Sequence, residues 1–423
     1  MKESILHDVW QYRLFSHHQL TTTDGESVEV IDPGKLNTDA GPDFFNAKLK
    51  IGDTIWAGNV EIHSQSSDWA RHNHQRDKAY DNVILHIVEK ADVIVTRTNG
   101  ELIPQLELTV PKDILLRYNE LLAEKKWIPC EEKINRIPTI LISSWETSLL
   151  AERLERKTAS IEALLKQSGN HWEEAFYISL ARSFGFGTNS QAFEAMAKSL
   201  PLSVLAKHKD NLFQLEALLL GQAGFLEKDE NDHYQAELKK EYRFFQTKYG
   251  LKPMEVSQWK LLRLRPDNFP TIRLVQFATL ICRSSKLFSK ILETENIRDL
   301  QKLFQTEVSD YWQRHYLFCK ESTASKKKLG TKSIDILLIN TVVPFIFAYG
   351  KMKNDELRME QAIHILEAIK PENNAVIQQW KLLGLKCNSA FDSQALLQLK
   401  KKYCDEKKCL RCRIGHKVLI INT

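Results

Sequence analysis

Glycine and proline are scarce, 16 and 12 of 423 residues, which excludes collagen-like and low-complexity disordered chains. Cysteine is sparse as well: seven residues, an odd count with no regular disulfide spacing. A disulfide-stapled secreted scaffold is therefore excluded and a reducing cytosol expected. Long apolar runs are missing. The longest, Ile334 to Tyr349, carries Asp335, Asn340 and Pro344, short and polar for a membrane span of ~20 apolar residues. It predicts a buried helix and no membrane partner. The opening MKESILHDVW lacks a basic region followed by an apolar one, so no secretory leader is expected and localisation reads as cytoplasmic. A dominant charge is also absent. The 59 Lys and Arg against 54 Asp and Glu leave a net +5, too little to name a partner.

What is present is an ordinary globular composition, 43% hydrophobic and 27% charged, in a chain long enough for two or three domains. Divided by position, the charge is uneven. Residues 1–130 hold 14 Lys and Arg against 20 Asp and Glu, a net −6, and the remainder is +11. Seven of the 13 histidines (His7, His17, His18, His63, His72, His74, His86) lie in the first 86 residues, and three of the seven cysteines lie in the last twenty. Two separate chemistries are indicated, one at each end.

The fold class expected is α+β. An opening helix around Ile5 to Leu14 is followed by short alternating runs at 28–31, 43–51, 55–63, 83–88, 93–96 and 105–108, which read as strands. A polar stretch, 66–81, has helical spacing between the third and fourth. Consecutive strands predict antiparallel hairpins, and a strand returning after a helix predicts a mixed sheet. After Pro111 helical patterns take over, punctuated by Pro201, Gly250 with Pro253, Pro266 with Pro270, and Pro371. Ser143 and Glu146 make a capping box for a helix through Leu165. No repeat period is evident. The expected division is an α/β module at 1–111, a linker at 112–139 holding Pro129 and Pro138, and a helical region at 140–423.

Strand alternation places Asn59, Glu61 and His63 on one face of the third strand. Gly41-Pro42-Asp43 opens the preceding strand, so hairpin pairing brings Asp43 toward Glu61. Carboxylates joined by an imidazole suit a divalent cation with activated water. Pro42-Asp43 followed by Glu61-Ile62-His63, within helix-strand-strand-strand-helix-strand, resembles the core of the PD-(D/E)xK phosphodiesterase superfamily of restriction-enzyme-like nucleases. The resemblance covers about the first 100 residues. It implies that Asp43 and Glu61 bind Mg2+ or Mn2+ and that catalytic His63 stands where the superfamily has Lys. That departure implies either a different metal preference or a degenerate fold that binds without cutting. Expected supporting residues are Glu3 on the first helix, Asn59, and His74 and Asp77 three apart in the polar stretch beside Trp69, His72 and Tyr80. The longer string from Gly41 to Val88, with LRLRPDNFPTIRL and YCDEKKCLRC, resembles an uncharacterised bacterial family known only as a domain of unknown function.

At the other end, Cys404-x4-Cys409-x2-Cys412 has the spacing of soft-metal ligands, zinc or an iron–sulfur cluster. Both call for a fourth ligand, expected from Cys387, His416 or a distant cysteine such as Cys319. Lys400, Lys401, Lys402, Lys407, Lys408, Arg411, Arg413 and Lys417 surround the trio, with a second cluster at Lys326 to Lys328. Such density suits phosphate contacts. The functional expectation is a metal-dependent phosphodiesterase acting on nucleic acid, with a catalytically degenerate nucleic-acid-binding or scaffold protein as the alternative.

Overall fold

The computed structural model describes residues 3–15, 20–37, 39–110, 112–123, 125–227, 232–284 and 286–420. His17 and His18 lie outside the described residues. The chain forms two units: residues 1–145 with 399–423, and residues 146–398. This division differs from the expected one. The stretch read as a linker is folded into the first unit, and the segment carrying the terminal cysteines belongs there as well.

The first unit opens with helix α1 (Glu3–Gln11). Seven strands follow: β1 (Leu20–Thr21), β2 (Ser27–Asp32), β3 (Lys35–Leu36), β4 (Phe44–Ile51), β5 (Thr54–Gln65), β6 (Val83–Lys90) and β7 (Gln105–Glu107). They form one mixed sheet in the order β1-β2-β4-β5-β6-β7, with β3 on β4. The chain reverses at Gly52-Asp53 so that β4 and β5 pair antiparallel. β5, β6 and β7 run parallel. The fold class is α+β, as expected.

Both faces of β6 are covered. Every residue from Val83 to Val88 is buried, as a near-continuous apolar run predicts for a parallel strand. Leu6, Val9 and Trp10 of α1 are fully buried, and the Trp10 indole donates to the carbonyl of Pro33. A β-bulge between Phe44 and Ala47 places Asn46 in the left-handed region, φ 57°, where its amide donates to Asn59 Oδ1. The bulge bends β4 beside Asp43.

The stretch 66–81 departs from the predicted helix. It contains one α-turn, α2 (Asp68–Arg71), and two 3-10 turns, His74–Arg76 and Lys78–Tyr80. Asn73 at φ 64° breaks the first, and extended Asp77 caps the last by accepting from the Ala79 amide. The run at 93–96 contributes an isolated bridge, Thr96 to Leu102. Beyond the sheet come α3 (Lys112–Ala123) and α4 (Thr139–Gln167). α4 starts right after Pro138, so Ser143 and Glu146 lie inside the helix and form no capping box.

The second unit is helical apart from the short pair His315–Leu317 and Lys320–Glu321. Asn211, Asp232, Asp355 and Asn374 each cap a helix by accepting a backbone N–H. The apolar run extends to a continuous helix, Thr331–Lys353, with a π-turn at Leu338–Val342. It is long and apolar enough to cross a membrane, but two-thirds of its apolar window is buried in the protein. Glu216, fully buried, accepts from Tyr234, Ser309 and Trp312 and is thereby satisfied.

Candidate metal centre

β4 and β5 bring their carboxylates together through backbone hydrogen bonds. The Asp43 N–H donates to Glu61 Oε2 at 3.0 Å, and the Ile62 N–H donates to Asp43 Oδ2 at 3.0 Å. Each acid is thus held by the other's strand. Glu61 Oε1, on the other side, stands 3.4 Å from both His63 Nε2 and His74 Nε2. His72 Nδ1 lies 3.1 Å from His63 Nε2. One donor atom from each of His63, His72 and His74 lies within 4.8 Å of the others. These are the separations at which imidazoles share a metal ion.

The surrounding groups orient this set. His63 Nδ1 lies 2.9 Å from His86 Nε2. When His63 donates there, its Nε2 lone pair is left facing Glu61, His72 and His74, an arrangement that fixes ligand tautomers at metal sites. His86 reaches this position because it pairs with Glu61 in the β5–β6 register. Tyr80 stacks on His74 at 3.7 Å between ring centroids. From α1, His7 Nε2 stands 3.3 Å from Asp43 Oδ2.

Protonation equilibria follow the burial. Burial pushes His63 down to about 3, and His86, His74 and His72 push the same way. His86 is also lowered to about 3, by burial and then His74. Both are neutral bases at physiological pH. Burial raises the Glu61 carboxyl; the His74 contact opposes this and the Asp43 charge adds to it. Burial would lower His7, but the Asp43 carboxylate outweighs it and the net shift is upward. Glu3 is raised by burial and by Asp43. Two carboxylates and three clustered imidazoles offer the donor types of a divalent-cation site. The nitrogen content suits Mn2+, Fe2+ or Zn2+ better than Mg2+, which prefers oxygen and water.

Of the residues singled out from sequence, Asp43, Glu61, His63 and His74 converge, and Glu3 lies within electrostatic reach of Asp43. Asn59 supports the bulge and Asp77 caps a 3-10 turn, so both act in the fold. His7, His72 and His86 complete the cluster. A signal for His86 was available: it is the one polar residue in the apolar run VILHIV. Much of the terminal basic cluster is paired, Lys400 with Asp405, Lys402 and Lys408 with Glu406, and Arg411 with Asp8.

No curated protein and no solved structure matches the chain. A family model described as a protein of unknown function, DUF2851, matches residues 3–375. The matched span contains every residue of the centre and ends before Cys404. The chain, with its carboxylate and histidine centre, belongs to the DUF2851 family.

Proposed function

We propose that the protein is a metal-dependent phosphodiesterase acting on nucleic acid, with a divalent transition-metal ion held by Glu61, His63, His72 and His74 next to Asp43. The observation that carries this reading is the convergence of three imidazoles within 4.8 Å on a carboxylate that is tied to a second one across β4 and β5. An ion held there would polarise a phosphoryl oxygen and lower the pKa of its bound water. Asp43 and Glu61 supply the negative charge that retains it. His63 stays neutral, so it serves as a nitrogen donor where a lysine would bring fixed charge. His7 has the raised pKa and is suited to hold a proton near the departing oxygen.

A second reading is favoured by one feature. Both ring nitrogens of His63 are engaged, by His86 and His72, which suits a degenerate site kept for binding. Cleavage of single- and double-stranded DNA and RNA with Mg2+, Mn2+ or Zn2+ separates the two. The first reading predicts cleavage, faster with Mn2+ than with Mg2+ and abolished in Asp43→Ala and Glu61→Ala. The second predicts salt-dependent binding without cleavage. Neither binding nor cleavage refutes both.

A further inference from the structure

A cluster of four thiols lies in the first unit, which also holds His416 but neither Cys319 nor Cys387 of the trio's expected partners. Cys130 follows Trp127-Ile128-Pro129 in the turns between α3 and α4 and is buried, as are Cys409 and Cys412. Cys404 ends a π-turn, Lys400–Cys404, and Cys412 directly precedes the terminal helix, Arg413–Ile420. That helix crosses the backbone of Cys409 so closely that a Cβ at Gly415 would stand 2.3 Å from the Cys409 carbonyl oxygen. Only glycine permits this approach, and it sets Cys409 beside Cys412.

The four thiols share one electrostatic neighbourhood. Cys130 is acted on by Cys412 and Cys409, and Cys404 by Cys130, Cys412 and Cys409. Cys387 has Asp392, Lys381, Glu146 and Glu372 as its charged neighbours and belongs to the second unit. Cys319 is exposed and also lies in the second unit.

Burial pushes all four thiols up, so a bound cation is needed to hold them as thiolates; nearby groups oppose the burial. Backbone N–H groups of Gly415 and Ile414 and the indole of Trp145 act on Cys412. Trp145 is 7% exposed, and its buried indole N–H has no fully formed hydrogen bond. A buried donor of this kind costs free energy unless an acceptor is supplied, and a metal-bound thiolate is one. Lys400 acts on Cys404 and Lys407 on Cys409.

We infer that Cys130, Cys404, Cys409 and Cys412 hold one metal through four thiolates, with Cys130 as the fourth ligand. Spacing indicates which soft metal. Around a single zinc with Zn–S of about 2.3 Å, tetrahedral geometry puts sulfurs about 3.8 Å apart. Among the described residues, no three of these sulfurs close to within 4.8 Å of one another. Four thiolates also hold an iron–sulfur cluster, whose sulfurs bind different irons and so stand farther apart than around one zinc.

The centre would tie the two ends of the chain together. Arg411, between Cys409 and Cys412, pairs with Asp8 of α1 at 2.8 Å. The Tyr12 hydroxyl, just past α1, donates to the Arg411 carbonyl. Arg117 of α3 donates to the Leu419 carbonyl, and Lys407 donates to that of Leu122.

The test uses the full chain purified without oxygen, with iron, zinc and acid-labile sulfide measured per folded monomer. Iron with equal sulfide and broad visible absorption is the expected result. One equivalent of zinc would support the four-thiolate centre and replace the cluster by a single ion. Metal should be lost in Cys130→Ser as fully as in Cys409→Ser, and retained in Cys319→Ser, Cys387→Ser and His416→Gln. A wild-type chain holding neither metal, or a Cys130→Ser chain holding the full amount, overturns the inference. The wild-type measurement stands even if a variant fails to fold.

Discussion

Replacing Glu61 by Gln separates a binding site from a structural ion pair. The carboxylate is buried, and one oxygen accepts from the Asp43 amide while the other faces His63 and His74. If its purpose were to pair with cationic histidines, breaking the pair would leave a buried uncompensated charge and cost about 3–5 kcal/mol. However, His63 is neutral above about pH 3, and the Glu61 carboxyl is raised, by burial first and then by Asp43. A carboxyl whose folded pKa is raised binds its proton more tightly in the folded state. Its protonation favours folding at low pH, and that contribution is lost as pH rises through the folded value. The anion is therefore a burden at pH 7 in metal-free protein. Gln keeps an oxygen for the Asp43 amide and removes the charge. Urea unfolding of metal-free Glu61→Gln at pH 7 should give a stability equal to wild type or up to about 1 kcal/mol higher, while affinity for Mn2+ or Zn2+ falls at least 10- to 100-fold, the range seen when metal-supporting groups are lost. A loss of about 3 kcal/mol or more with unchanged metal affinity would instead make Glu61 a structural ion-pair partner.

Other expectations follow from the same geometry. His63 and His86, lowered to about 3, bind protons in the unfolded chain below about pH 6.5 but not in the folded one. Metal-free protein should therefore lose roughly 2 kcal/mol per histidine between pH 6.5 and 5, and urea titrations should show a shallower loss in His86→Asn. Metal present at 100 times its Kd should add about 2.7 kcal/mol to wild type; calorimetry before and after chelation should find that increment missing in His74→Gln. At Gly58, a Cβ would meet Ile84 Cγ2 at 2.4 Å and the Asn82 carbonyl at 2.7 Å. Gly58→Ala should therefore cost about 1–3 kcal/mol and weaken metal binding by spreading β5 from β6.

The core of the first unit was legible because its strands follow simple rules. Polar and apolar residues alternate from Asn59 to His63 in β5, β6 is continuously apolar, and the Gly52-Asp53 turn fixes the pairing that joins Asp43 to Glu61. The stretch 66–81 was not, because helical spacing there is overridden by left-handed Asn73 and by Asp77 acting as a cap. His72 and His74 consequently reach Glu61 and His63 from turns rather than from one helical face. His7 and His86 depend on tertiary packing, of α1 on β5 and of β6 in parallel register. Local spacing carries neither relation. Cys130 was not singled out for the same reason: the three cysteines that we infer share its metal lie near the opposite end of the chain, and no spacing rule spans that separation.

If Glu61 and the three clustered imidazoles hold a catalytic metal ion next to Asp43, phosphodiester cleavage depends on that ion and on both carboxylates. The most direct measurement is cleavage of labelled DNA and RNA by metal-free protein reloaded with Mn2+, alongside Asp43→Ala and Glu61→Ala. Cleavage by the reloaded wild type is expected, with none before reloading and none by either variant. Cleavage that persists in both variants, or a reloaded wild type that binds Mn2+ at these residues and cuts nothing, would contradict that expectation.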